Sequence, residues 1–321
     1  MKNLAVLGAT GNVGRQILEI LGERDFPFGE LYLFSSEKSA GEELEVKGKR
    51  YKTTALSKEA FDNIKVDLCL MAAGGAVSEE YGPYLKEKGI LCIDNSSHFR
   101  MDKDVPLIVP EINKEAAKNN NGLIANPNCS TIQSVMPLKA LEKFGIKRVI
   151  YSTYQAVSGS GVGGIRDLEE GVCEQYPYNI QKNCIPQIDD FLDNGYTKEE
   201  MKMMEETKKI LDNDELRVTA TTVRVPILNG HAVNMNIEFE KDFSLEEVRQ
   251  LLEDFEGIIV EDEPEKLLYP LQEKIDGTDD VSVGRLRRDD SVEFGLNLWC
   301  VADNIRKGAA TNTVQIAELF V

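Results

Sequence analysis

Histidine is scarce in this chain. His98 and His231 are the only two in 321 residues, which excludes a His-rich metal centre, and no metal is expected. The six cysteines, at 69, 92, 129, 173, 184 and 300, are scattered with no C-x-x-C pair, so neither a zinc motif nor a dithiol redox motif is indicated. Several sit in apolar runs, such as Cys69 between Leu68 and Leu70, and read as reduced thiols of a cytoplasmic protein. No apolar run approaches the ~20 residues a membrane span requires, and the opening residues read as a strand rather than a leader peptide. Positive charge is also in short supply: 37 Lys and Arg face 55 Asp and Glu, for a net charge of −18. A chain this acidic is repelled by phosphate backbones and anionic lipid surfaces, so neither nucleic acid nor membrane is an expected partner. A small anionic substrate is compatible if a few Arg and Lys side chains converge locally.

What is present is a regular alternation. Apolar strands are expected at 3–7, 31–34, 67–71, 90–93 and 122–125. Helical patterns follow Gly14 and occupy about 79–88. Such alternation implies a parallel sheet covered on both faces. After residue 145 the texture changes to long β-rich runs at 148–157, 217–225, 231–239, 281–285 and 291–301, several with period two. The stretch around 174–190 reads as a loop, and Asn304 to Phe320 as a helix returning to the first domain. The expected fold is therefore α/β: an N-terminal Rossmann-type dinucleotide-binding domain (1–127 plus 303–321) and an α+β catalytic and dimerisation domain with a mixed sheet (128–302).

Gly8, Gly11 and Gly14 form a G-x-x-G-x-x-G turn between the first strand and first helix. Glycines there let backbone approach a pyrophosphate, and the helix N-terminus offers N–H groups and a positive dipole end. The second strand ends in Ser35, Ser36, Glu37 and Lys38. Two hydroxyls and a cation suit a 2′-phosphate, which favours NADP, while Glu37 leaves NAD open.

Cys129 follows a strand and opens an apolar-periodic segment carrying Ile132, Val135, Leu138 and Leu141. At a helix N-terminus the dipole favours the thiolate, the reactive form. A thiolate can take an acyl group as a thioester, which a nearby nicotinamide can reduce. A lone cysteine is otherwise more often a buried hydrophobe.

Seven segments spanning nearly the whole chain carry a resemblance. They are 8–14 (Gly-Ala-Thr-Gly-Asn-Val-Gly), 94–100 (Asp-Asn-Ser-Ser-His-Phe-Arg), 126–131 (Asn-Pro-Asn-Cys-Ser-Thr), 154–161 (Tyr-Gln-Ala-Val-Ser-Gly-Ser-Gly), 199–202 (Glu-Glu-Met-Lys), 224–231 (Arg-Val-Pro-Ile-Leu-Asn-Gly-His) and 306–312 (Arg-Lys-Gly-Ala-Ala-Thr-Asn). In this order the chain resembles the aspartate-semialdehyde dehydrogenase family.

The resemblance implies that Cys129 is the nucleophile, His231 the acid/base group and Gln155 an orienting group. It gives the substrate phosphate to Arg100, with Asn128 and Lys202 assisting, the α-carboxylate to Arg224 and the ammonium to Glu199. Without the family pattern, Arg100 and Arg224 would read as solvated charges, and Glu199 with Lys202 as a surface pair. Gly8, Thr10, Gly11, Asn12, Val13, Ser35, Ser36, Lys38, Ala72, Gly74, Ser158, Gly159 and Asn312 are the expected cofactor contacts. A homodimer or dimer of dimers in amino-acid biosynthesis is implied as well. His98 stands where the family has a small residue, and Lys38 where an arginine is common. The rival readings are an N-acetylglutamyl-phosphate reductase, for which Glu199 would have no ammonium partner, and a non-catalytic nucleotide-binding paralogue.

Overall fold

The computed structural model describes residues 1–321. The chain forms two compact units, Met1–Pro127 with Ala309–Val321, and Asn128–Gly308. The first unit carries β1 (Lys2–Leu7), α1 (Asn12–Glu23), β2 (Phe28–Ser35), the hairpin β3 (Glu43–Val46) and β4 (Lys49–Lys52), and β5 (Thr54–Ala55). It continues with β6 (Leu68–Met71), α2 (Gly75–Glu87), β7 (Leu91–Asp94), α3 (Pro110–Asn113) and β8 (Leu123–Ala125). Its six-stranded sheet runs β5-β2-β1-β6-β7-β8, with every pairing parallel. Leu4 to Leu7 and Leu68 to Met71 are wholly buried, as expected for strands covered on both sides. The strand order reverses direction beside β1, with β2 on one side and β6 on the other. This is where open α/β sheets leave a crevice at the carboxyl ends of their strands.

The second unit carries α4 (Cys129–Ala140), β9 (Ile146–Gln155), α5 (Gly161–Glu170), α6 (Lys198–Leu211), β10 (Arg217–Arg224) and β11 (His231–Phe239). It goes on through α7 (Leu245–Glu253), β12 (Ile258–Val260), α8 (Gln272–Ile275), β13 (Val281–Asp289) and β14 (Gly295–Ala302). Its sheet runs β10-β9-β11-β14-β13-β12 and is mixed. β10 with β9 and β12 with β13 are parallel, the other pairs antiparallel. Val149, Tyr151 and Thr153 of β9 point to a buried face, and Arg148, Ile150, Ser152 and Tyr154 to a more open one, which is the period-two alternation seen in the sequence. Helix α4 is buried nearly all round, from Ser130 to Leu138. α6 begins with a capping box in which Thr197 and Glu200 satisfy each other's backbone N–H groups.

Helix α9 (Thr311–Glu318) belongs to the first unit. Its Val314, Ile316 and Ala317 lie in the same apolar core as Leu4, Ile17 and Leu70. It starts later than expected from Asn304, because Arg306–Ala310 form a π turn. Residues 303–308, expected with the first domain, fall in the second unit. The side chains explain this: Asp303 accepts from the Gly277 N–H at 2.9 Å and Asn304 from the Gly230 N–H at 2.9 Å. The expected strand at 291–301 begins only at Gly295. Asp289 accepts from both the backbone N–H (3.0 Å) and the hydroxyl (2.6 Å) of Ser291, a local turn that competes with the ladder.

Gly14 packs α1 onto the first turn so closely that a Cβ would lie 2.1 Å from the Gly8 carbonyl oxygen and 2.9 Å from the Ala9 Cα. Gly14→Ala is therefore expected to lower stability by about 1–3 kcal/mol, measured as the urea midpoint of unfolding; an unchanged midpoint would contradict the close packing.

Candidate active site

In the first unit the loops after β1, β2 and β6 lie side by side, because those strands are neighbours in the sheet. The first loop holds Gly8, Thr10 and Gly11, and leads into Asn12 and Val13 at the start of α1. Gly8 has φ +78° and lies so near the third loop that a Cβ would sit 2.5 Å from the Ala72 carbonyl oxygen. Neither α1, capped by Gly11, nor α2, capped by Gly74, receives a side-chain hydrogen bond at its N-cap. Two helix N-termini after adjacent strands thus keep their first-turn N–H groups for another acceptor, which fits a dinucleotide pyrophosphate. On the second loop Ser36 and Lys38 are exposed, whereas Ser35 is buried and its hydroxyl donates to the Ser36 carbonyl at 3.2 Å.

Arg100 is a buried cation of the first unit. Its Nε donates to the Asn126 carbonyl at 2.9 Å and an Nη to the Asn95 carbonyl at 2.8 Å, so it ties together the segments that follow β7 and β8. Asn312, expected among the cofactor contacts, is instead fully buried. It donates to the Ile108 carbonyl at 2.9 Å and to Asn126 Oδ1 at 2.7 Å. Its amide supports the Asn126 segment.

The second unit opens with Asn128, the N-cap of α4, and half-buried Cys129, the first residue of that helix. Asn128 Oδ1 accepts from the N–H groups of Ser130 (3.0 Å) and Thr131 (3.3 Å). Those two N–H groups are thereby spent and are not oxyanion donors. Around Asn128 lies a buried polar net. Its backbone N–H donates to Glu206 Oε2 at 2.6 Å and its Nδ2 to Glu199 Oε1 at 2.9 Å. Gln155 Nε2 donates to the same Glu199 oxygen at 3.0 Å. Lys202 reaches the other Glu199 oxygen at 3.2 Å and Asp189 at 2.8 Å. Burial works to raise the Glu199 pKa, but Lys202, the two amide donors and Arg224 together hold it down to about 2. Glu199 is thus an ionised carboxylate, and the charge of Lys202 is shared between two carboxylates.

Arg224 and His231 meet at Gly159. A Cβ there would lie 3.1 Å from an Arg224 Nη and 3.4 Å from His231 Nε2. Arg224, at the end of β10 beside Gln155, is 4% exposed. It donates an Nη to the Ala156 carbonyl at 2.6 Å, while its Nε has no partner. A buried guanidinium with an idle donor is prepared for an acceptor such as a carboxylate. His231 opens β11 and is fully buried. Its Nδ1 accepts from the Ala156 N–H at 3.0 Å, so the ring proton sits on Nε2, which has no partner. Burial, then the Arg224 charge, push the His231 pKa down to about 3. Ser158 is buried alongside, accepting from Asn304 Nδ2 at 2.9 Å.

Two supporting groups were not picked out in the sequence. Gln133, one turn beyond Cys129, is fully buried and donates to the backbone carbonyls of His231 (3.0 Å) and Cys300 (3.3 Å), linking the thiol's helix to the histidine's strand. Glu206 holds the N-cap residue by its backbone. Glu199 and Glu206 stand seven apart on α6, which puts both on one helical face, and that spacing was the available signal.

A doubly covered parallel sheet with an open anion site, joined to a second unit bearing a helix-borne thiol and a buried imidazole, is the layout of a semialdehyde dehydrogenase. Residues 3–120 match the family described as "Semialdehyde dehydrogenase, NAD binding domain", and residues 137–307 "Semialdehyde dehydrogenase, dimerisation domain". The chain belongs to the aspartate-semialdehyde dehydrogenase family. It is 50% identical to an aspartate-semialdehyde dehydrogenase of Aquifex aeolicus, over 99% of this chain and 97% of that one. The solved aspartate semialdehyde dehydrogenase II of Vibrio cholerae complexed with ASA is 45% identical, with a TM-score of 0.95 over 99% and 98% of the two chains. The enzyme of Candida albicans with NADP is 26% identical, with a TM-score of 0.79 over 99% and 98%.

The lowered pKa values have a definite sign. An unfolded His231 titrates near 6.5 and the folded one near 3, so its contribution to stability is complete above pH 6.5 and is lost as pH falls toward 3. Glu199 adds a second loss between pH 4.5 and about 2. We expect urea midpoints to decline steadily below pH 6.5 and to decline less in His231→Asn; equal slopes in the two proteins would contradict a neutral buried imidazole.

Proposed function

We propose that the protein reduces L-aspartyl 4-phosphate to L-aspartate 4-semialdehyde with NADPH, in the route to lysine, threonine, methionine and diaminopimelate. The observation that carries this reading is the pair of opposite buried charges in the second unit. Arg224 has an idle donor and Glu199 is held ionised, matching the carboxylate and ammonium of a free α-amino acid. An N-acetylated substrate has no ammonium group for Glu199. Arg100 is assigned to the phosphate, with Asn128 and Lys202 assisting, and Gln155 to orienting the acyl group.

Cys129 attacks the acyl carbon as the thiolate favoured at a helix N-terminus. The C–O bond to phosphate breaks, and the leaving phosphate takes up a proton from solvent. NADPH held by the glycine turn of the first unit would supply the hydride that reduces the resulting thioester. The new tetrahedral oxyanion is stabilised by the Nε2–H of His231, a donor already in place with no competing partner. The oxyanion then collapses, the C–S bond breaks and the Cys129 thiolate is regenerated. A substrate carboxylate on Arg224 also relieves one of the two causes that keep His231 from taking a second proton.

NADP over NAD is supported by exposed Ser36 and Lys38 on the second loop and by the NADP in the Candida albicans relative. A cytosolic location is supported by exposed Cys173 and Cys184, which stand as thiols. No helix is long and apolar enough to cross a membrane. The open face of the second sheet is assigned to a homodimer. Tyr154 and Trp299 pack there with ring centroids 5.2 Å apart and planes tilted by 51°, and Trp299, Tyr269 and Arg287 border a cavity of about 280 Å³ among residues of the dimerisation domain.

Cys129→Ala should lower turnover by at least about 10³-fold and leave NADPH binding intact by fluorescence titration; retained turnover refutes the assignment. Assayed in the phosphorylating direction, aspartate semialdehyde should be oxidised and N-acetylglutamate semialdehyde should not; the reverse preference would overturn the substrate. Lys38→Glu should raise the KM for NADPH about tenfold or more while changing that for NADH much less, and equal effects would remove Lys38 from the 2′-phosphate.

A further inference from the structure

Gly308 lies in the π turn Arg306–Ala310, its N–H donating to the Asp303 carbonyl five residues back at 2.9 Å. Its φ lies outside the left-handed region, so the backbone conformation does not call for glycine. In helical backbone alanine is the favoured residue of the two. What a side chain would meet is the nucleophile. A Cβ on Gly308 would sit 3.0 Å from the Cβ of Cys129 and 3.3 Å from its Cα, with the Asp303 carbonyl oxygen next at 3.4 Å. Carbon atoms prefer about 3.5–4.0 Å, so Cys129 or the turn would have to shift. π turns are uncommon and concentrate at functional sites, and this one brings backbone directly against the thiol-bearing residue.

We propose that Gly308 is a positioning residue for Cys129. The missing side chain lets the π turn close on the first residue of α4 and fixes the direction of the Cα–Cβ bond, and with it the place of the sulfur. The glycine is therefore kept for reactivity at a position where helix propensity alone would favour alanine. This rests on Cys129 being the nucleophile, and Cys129→Ala measured in parallel separates the two readings. If that variant stays active, the nucleophile is wrong; if it is dead while Gly308→Ala is fully active, Gly308 is wrong.

The test is Gly308→Ala and Gly308→Ser in the full chain, measured in the phosphorylating direction with aspartate semialdehyde, NADP and phosphate. A displacement of a few tenths of an ångström at the attacking atom should lower kcat about tenfold in the alanine variant and further in the serine variant, with each KM within about twofold. A fall in kcat at unchanged KM is an outcome a purely structural role would not give. Wild-type kcat, or a loss explained by a higher KM for NADP alone, overturns the proposal. If the alanine variant folds poorly, the Cys129→Gly background decides. There the Tm cost of Gly308→Ala should vanish, because the obstructing Cβ is gone, and a cost that persists overturns the proposal.

Discussion

The hydrogen bonds of Asn128 are the constraint on which the site depends. One side chain closes the start of α4 through Ser130 and Thr131 and passes its amide hydrogen to Glu199, while its own backbone is held by Glu206. The residue that ends the first helical turn's deficit of acceptors is thus the residue that connects the helix to α6. Removing that side chain would leave the N–H groups of Ser130 and Thr131 short of an acceptor, and each such buried orphan costs on the order of 1–3 kcal/mol. The position of the sulfur is consequently tied to the stability of the second unit's interior.

Charge is arranged in the same economical way. The chain has a large acidic excess, yet the interior of the second unit balances Glu199 against Lys202 and Arg224, and Lys202 against Asp189 as well. Buried ions are tolerated when paired and hydrogen-bonded. Among the buried groups left without a partner are two nitrogen donors, Arg224 Nε and His231 Nε2. Unfilled hydrogen-bonding capacity on two adjacent nitrogen-bearing side chains suits a ligand's oxygen atoms. Gly159, which abuts both side chains, leaves the room.

Much of this was legible in the sequence, for physical reasons. The parallel sheet announced itself because doubly covered strands are continuous apolar runs, as in Leu68 to Met71. The glycine turn was readable because Gly8 and Gly14 approach other backbone too closely for a Cβ. The helix at Cys129 was readable from Asn128 and the apolar spacing behind it. Other features depend on neighbours distant in the chain. Gln133 looks like a polar intruder in a core helix until β11 and β14 bring the His231 and Cys300 carbonyls to it. Ser35 and Asn312 make hydrogen bonds inside the protein, those of Asn312 to partners far away in the chain. The glycine-rich run after Ser158 conceals the start of α5, since Gly164 is required there by Tyr176 and Val157, a Cβ lying 2.6 Å from an oxygen of each.

The route of the chain has a consequence for biogenesis. Val314, Ile316 and Ala317 complete the apolar core laid down by Leu4, Ile17 and Leu70, and Glu318 pairs with Arg24 across 294 positions of sequence. All of the second unit is synthesised between these partners. A nascent chain carrying only residues 1–127 has its sheet but not the helix that seals one side, so the earliest-made half waits, with apolar surface uncovered, until the ribosome has delivered nearly everything else. Such a layout links the maturation of the nucleotide site to completion of translation and makes the growing polypeptide a natural client for chaperones.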